Sequence, residues 1–129
     1  MFAADIVRYC DFSVKMEFIR LSSYGSSTTT TGKVNAIDIS LPDLNGKNVL
    51  IIEDIVDTGL TAKFLIDFIK SNFYVKSLKF CSFLNKKARR ETDIEPDYYC
   101  YDIDDRFVVG YGLDYDGYYR NLPYIAYKE

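Results

Sequence analysis

The sequence predicts an α/β domain built on a mainly parallel sheet flanked by helices. Asn48–Ile52 carries the unbroken apolar run Val-Leu-Ile-Ile, which suits a strand buried on both faces, as in parallel sheets. A helical pattern follows over about Leu60–Asn72, and another strand pattern over Ser77–Leu84. Strand, helix and strand at this spacing make a βαβ unit. A length of 129 residues suits one domain, spanning 1–129, with a core large enough to stand without staples.

Residues 1–10 read as the end of an amphipathic helix, with Phe2, Ile6, Tyr9 and Cys10 on one face and Asp5 and Arg8 off it. Val14–Leu21 alternates as a strand does, Met16 and Phe18 on one side, Lys15 and Glu17 on the other. Ser22–Gly32 is polar and aperiodic; a loop of that length inside a domain is functional or disordered, and its glycines would let it move. Pro42–Lys47 is a turn with Asn-Gly at its tip, feeding the strand at Asn48. The helix at Leu60–Asn72 has an apolar stripe of Leu65, Ile66, Ile69 and Phe73, while Lys63, Asp67 and Lys70 face water. Tyr98–Asp102 reads as a further strand, and Phe107–Val109 and Tyr124–Tyr127 as shorter ones. There is no internal repeat. An α/β domain normally opens on a strand and this chain opens on a helix, so either the sheet starts unusually or a leading segment is absent from this chain.

Composition removes several function classes. The absence of His excludes triads and zinc chemistry built on imidazole. Sixteen Lys and Arg against nineteen Asp and Glu leave a net charge of −3, which argues against a nucleic-acid binder. A phosphate-rich ligand would need a metal ion or backbone N–H groups to offset its charge. Cys10, Cys81 and Cys100 are odd in number and widely spaced, so neither a disulfide framework nor an iron–sulfur site is expected. No apolar run approaches the ~20 residues of a membrane span, and no signal-peptide pattern is present. The expected setting is the reducing cytoplasm.

The chemistry concentrates in Val49-Leu-Ile-Ile-Glu-Asp-Ile-Val-Asp-Thr-Gly-Leu-Thr61. A buried strand runs out into two carboxylates, then a third, a glycine and two hydroxyl residues, then a helix. Ligands of open α/β sheets bind at the carboxyl ends of strands. The following helix N-terminus offers free N–H groups that suit a phosphate, Gly59 permits close backbone approach, and Thr58 and Thr61 add hydroxyls. Glu53 and Asp54 are hard oxygen groups suited to Mg2+ or to sugar hydroxyls. The GxxxxGK[ST] pattern of a Walker loop is not present. The plainer alternatives are that Asp57 or Thr58 caps the helix, that Lys86 lies on the surface, that Phe107-Val-Val is a buried strand, and that Asp114 and Arg120 belong to a surface turn.

Val-Leu-Ile-Ile-Glu-Asp-Ile-Val-Asp-Thr-Gly resembles the 5-phosphoribosyl-1-pyrophosphate (PRPP) signature of type I phosphoribosyltransferases. Phe107-Val-Val-Gly-Tyr-Gly-Leu-Asp-Tyr115 and Tyr119-Arg-Asn-Leu-Pro123 resemble the 6-oxopurine, hypoxanthine–guanine branch. Phe18-Ile-Arg-Leu-Ser-Ser-Tyr24 and Leu84-Asn-Lys-Lys-Ala-Arg-Arg90 match that branch in the same order. The resemblance implies transfer of phosphoribosyl from PRPP to hypoxanthine or guanine, giving IMP or GMP and pyrophosphate.

It also implies a role for each matching residue. Glu53 and Asp54 hold the ribose hydroxyls, directly or through Mg2+, and Asp57 is the general base near purine N7. Thr58, Gly59, Leu60 and Thr61 cradle the 5′-phosphate, and Arg120 approaches the pyrophosphate. Lys86 donates to purine O6, Phe107 stacks on the base, and the Val108 backbone bonds its edge. Asp114 binds a second Mg2+ through water. Ser23 and Tyr24 begin a mobile loop that closes over the reacting centre. The resemblance further implies a homodimer or homotetramer, no nucleic-acid or membrane partner, and a leading strand with a pyrophosphate-binding Leu-Lys-Gly-type loop that this chain lacks. Two alternatives stand beside it: a regulator that senses PRPP without chemistry, and an inactive remnant of the enzyme.

Overall fold

The computed structural model describes residues 1–23, 34–38 and 41–128. In chain order the elements are α1 (Phe2–Arg8), β1 (Arg20–Ser23), β2 (Val34–Asp38), β3 (Asn48–Val56), α2 (Leu60–Asn72), β4 (Ser77–Lys86), β5 (Tyr98–Ile103), β6 (Phe107–Val109) and β7 (Ala126–Lys128). β3, β4 and β5 form a parallel sheet in that order, with Asn48 opposite Ser77 and Val56 opposite Asn85. β1 with β2, and β6 with β7, form antiparallel ribbons.

The core lies between the β3–β4 sheet and α2. Ala62, Leu65 and Ile69 of α2 pack on Ile51, Val56 and Phe80, with Ile66 and Phe73 flanking them. Burying each large apolar side chain stabilises the fold by about 1.5–3 kcal/mol, so this cluster fixes how α2 sits on the sheet. Asp67 and Lys70 are exposed, and Lys63 pairs with Asp67 at 3.1 Å one turn on. The Asn-Gly turn is pinned to the far end of α2: Asn45 Oδ1 accepts from the Tyr74 amide at 2.7 Å, and Gly46 N donates to Tyr74 O at 2.8 Å. The start of β3 and the end of α2 are thus tied, and the opposite ends of both are left to form a site. Among the described residues, no helix is long and apolar enough to cross a membrane.

Five sequence expectations are corrected. The strand expected over Val14–Leu21 is confined to Arg20–Ser23. Residues 13–19 have no ladder partner among the described residues, and Met16 and Phe18 are exposed, so their alternation buries nothing. The strand expected to end at Ile52 runs on to Val56, because Glu53, Ile55 and Val56 keep pairing with Ser82, Leu84 and Asn85. Glu53 and Asp54 therefore lie within the strand rather than beyond it. Tyr9, expected on the apolar face of the first helix, is 91% exposed, as α1 ends at Arg8. The last strand is Ala126–Lys128 rather than Tyr124–Tyr127, set by the pairing of Phe107 with Lys128. Of the loop expected over 22–32, Ser22 and Ser23 close β1, and Tyr24 lies outside the described residues.

Candidate active site

The carboxyl ends of β3 and β4, the turn into α2 and the turn after β6 meet at one place. Glu53 is largely buried, and burial, aided by the neighbouring Asp54, pushes its carboxyl pKa up to about 7. Asp54 lies against the β6 turn, its Oδ2 within 3.9 Å of where a Cβ on Gly112 would stand. Two adjacent hard oxygen donors, one driven toward protonation by burial and by its acidic neighbour, could hold a divalent cation. Among the described residues, no group of three or more His, Cys, Asp or Glu could hold a metal ion. Glu53 and Asp54 are the residues that would hold Mg2+.

Asp57 stands in the turn between β3 and α2. Its Oδ2 lies 3.9 Å from Lys86 Nζ and 3.5 Å from Arg89. Its Oδ1 is buried without any hydrogen-bond partner. A buried acceptor left unmade costs about 1–3 kcal/mol, so this oxygen can take a further donor at a gain. Lys86 closes β4 with its side chain only 8% exposed, which rules out the surface-lysine alternative. Its ammonium pairs with Asp105 at 2.8 Å and donates to the Arg106 carbonyl at 3.4 Å. The lysine in turn holds the Asp105 carboxyl below the usual carboxylate range.

Neither Asp57 nor Thr58 caps α2. The cap position is Gly59, at φ +82°, with no side-chain cap bond. A side chain there would be strained, and its Cβ would collide with Thr92 Oγ1 and press on Arg90. The Thr58 hydroxyl accepts from Leu60 N at 3.4 Å, a weak bond. The first amides of α2 have no carbonyl within the helix to bond and can turn to an anion.

The β6 turn brings Phe107, Val108, Asp114 and Arg120 together. Val108 and Val109 are buried, whereas Phe107 is 52% exposed and meets Tyr115 edge-on at 5.8 Å. Arg120 donates to Gly112 O at 2.8 Å and pairs with Asp114 at 2.8 Å, and Asp114 also accepts from Gly117 N. Arg120 thereby braces the turn that lies against Asp54. Tyr111, at φ +51°, donates its hydroxyl to Asp5 of α1, which pushes its pKa up to about 12. Its ring packs 5.0 Å from Phe83, which also meets Phe2.

Sequence reasoning did not single out Arg89, Asp105 or the Asp5–Tyr111 contact. The available signal was Lys86 itself: a lysine closing an apolar strand needs a buried counter-charge, and Asp104-Asp105 is the acidic pair that follows the next strand.

The turn into α2, the adjacent carboxylates Glu53 and Asp54 and the half-exposed Phe107 gather at one end of an α/β sheet, an arrangement that suits a phosphorylated sugar beside a flat base. The phosphoribosyl transferase domain matches residues 1–116. The hypoxanthine-guanine phosphoribosyltransferase of Bacillus subtilis is 43% identical over 125 residues, covering 97% of this chain and 69% of that protein. A hypoxanthine phosphoribosyltransferase crystal structure from Staphylococcus aureus superposes with a TM-score of 0.91 at 42% identity, over 99% of this chain and 69% of that one. A mutant hypoxanthine phosphoribosyltransferase of Trypanosoma cruzi, in a ternary substrates complex, gives a TM-score of 0.87 at 41% identity, over 99% of this chain and 70% of that one. The chain belongs to the type I phosphoribosyltransferase family, in its hypoxanthine–guanine branch.

Proposed function

We propose that the chain transfers 5-phosphoribosyl from PRPP to hypoxanthine or guanine, releasing pyrophosphate and the nucleoside monophosphate. The observation that carries this reading is Asp57: one carboxylate oxygen faces Lys86 at 3.9 Å, and the other is buried and unpartnered. A 6-oxopurine presents its O6 carbonyl and its N7–H along one edge. Lys86 donates to O6, and the free Asp57 oxygen accepts the N7 proton as N9 bonds to the ribose anomeric carbon and the bond from that carbon to pyrophosphate breaks. Adenine would meet the ammonium with an amino group, donor against donor, which selects against it. Phe107 offers its exposed ring to the base face, and the Val108 backbone its edge.

The amides of Thr58, Gly59, Leu60 and Thr61 hold the 5′-phosphate, and Glu53 and Asp54 hold the ribose hydroxyls. Mg2+, when bound there and near Asp114, offsets charge on the leaving diphosphate, which an acidic chain could not do alone. Arg120 faces the pyrophosphate. The free thiols and soluble substrates fit a cytoplasmic enzyme, and assembly as a homodimer or homotetramer follows from the resemblance.

The test is formation of IMP from hypoxanthine, PRPP and Mg2+ by the 129-residue chain. Asp57→Asn is expected to lower kcat by roughly 100-fold or more, within the usual range for a general base, while PRPP affinity changes little. Equal losses in turnover and PRPP binding would remove the general-base role. PRPP binding without product would favour the sensing regulator.

A further inference from the structure

Behind the Asp57–Gly59 turn lies a buried guanidinium that the reaction above does not use. The Arg90 side chain is 8% exposed. Its Nε donates to the Asp57 carbonyl at 3.0 Å, and one terminal nitrogen donates to Asn85 Oδ1 at 2.7 Å. The other terminal nitrogen donates to the Ile94 carbonyl and to Glu95 Oε1, the latter at 3.2 Å. Asn85 is fully buried and gives its own Nδ2 to Asp102 of β5 at 2.8 Å. Glu91 N holds the next carbonyl of the turn, that of Thr58, at 2.9 Å.

We propose that Arg90 is a positioning residue that aims the phosphate-binding amides of Thr58 and Gly59 and fixes the Asp57 turn to the strand bearing Lys86. In a trans peptide the C=O and the following N–H point in opposite directions, and there are no cis peptides among the described residues. Holding the Asp57 oxygen on Arg90 therefore turns Thr58 N–H the other way, toward the site. Glu91, the residue after Arg90 in the segment that Arg90 anchors, holds the Thr58 oxygen and so does the same for Gly59 N–H. Arg90 acts on the cradle from behind, through carbonyls, and touches no substrate. Its second anchor, Asn85, is the residue immediately before Lys86, so one rigid fork sets the base-reading lysine and the phosphate turn relative to each other. A planar guanidinium donates to these three segments in a fixed fork; an ammonium has three donors but lacks that fixed, spread geometry.

The role rests on the proposed phosphoribosyl transfer, but its first test does not require turnover. In the full chain, Arg90→Gln is expected to lower backbone 15N order parameters at Thr58 and Gly59 from the rigid value of about 0.85 to below about 0.6. Ile51 and Phe80, in the sheet, are expected to stay unchanged. In the kinetic assay the same variant is expected to raise the KM for PRPP on the order of 10-fold and lower kcat roughly 10- to 100-fold, the scale of a displacement of about 1 Å. The KM for hypoxanthine is expected to stay within about 2-fold, since Lys86 and Phe107 are retained. Unchanged order parameters at Thr58 and Gly59, or equal loosening of Ile51 and Phe80, would overturn the role and leave Arg90 as general scaffolding. An unchanged KM for PRPP would overturn it as well. A parent chain that makes no IMP would count against the proposed function, while the order parameters would still decide Arg90. Should Arg90→Gln fail to fold, Arg90→Lys, which keeps the charge but not the fork, carries the same measurements.

Discussion

Glu53 gives a quantitative prediction. Its native pKa is about 7 against an ordinary 4.5, because the charged form is buried and faces Asp54. In the unfolded chain the group ionises near its ordinary value, so between pH 4.5 and 7 the native state holds a proton that the unfolded state has released. The contribution of Glu53 to stability falls as pH rises through that window, is flat below it where both states are protonated, and is flat above it where both are ionised. Each pH unit of difference is worth about 1.4 kcal/mol, so the ionised carboxylate costs the native state about 3 kcal/mol at about pH 8 and nothing at about pH 4. Glu53→Gln keeps the shape and removes the charge. In paired urea titrations the variant is expected to gain about 2–3 kcal/mol at about pH 8, a midpoint shift of roughly 1–2 M at an m of about 1–3 kcal/mol/M, and almost nothing at about pH 4. A gain of the same size at both pH values, or none at the higher one, would refute the reasoning, since only ionisation distinguishes the two conditions.

Two further substitutions test the geometry of the site. Lys86→Ala is expected to weaken hypoxanthine binding by at least about 10-fold, the usual worth of a charge-assisted hydrogen bond, as read by calorimetry; unchanged base affinity would remove Lys86 from the purine site. Gly59→Ala is expected to destabilise the chain by about 2 kcal/mol in thermal melts, from positive φ and from the collision with Thr92. Adding Thr92→Ala should return part of that loss, and strictly additive losses would show that the two side chains do not meet.

The βαβ unit was legible because its pattern is local: Leu65 and Ile69 recur at helical spacing, and Val49–Ile52 is continuously apolar. The end of β3 was not, because Glu53 and Asp54 interrupt the apolar run while the ladder to β4 continues past them. β2 was missed for a related reason. Val34–Asp38, Val-Asn-Ala-Ile-Asp, has no clean alternation, and its pairing with β1 becomes visible only once the chain has folded back. In the site, the acidic strand end and Gly59 declared themselves through motif and spacing. Lys86 could be assigned only by resemblance, since a lysine's burial depends on Asp105, nineteen residues away in sequence. Arg90 was legible as part of a motif but not in its role, which is set by carbonyl oxygens that composition never reveals.

The Asp5–Tyr111 clasp has a consequence for anyone engineering this molecule. Tyr111 is one of three residues other than glycine at positive φ among those described, and it sits just past the shelf that ends in Val109. Such a backbone relaxes when its restraint is cut. A redesign of the first helix that replaces Asp5, made for solubility or fusion and without touching a single active-site position, would therefore remove a side-chain restraint on the turn that follows β6.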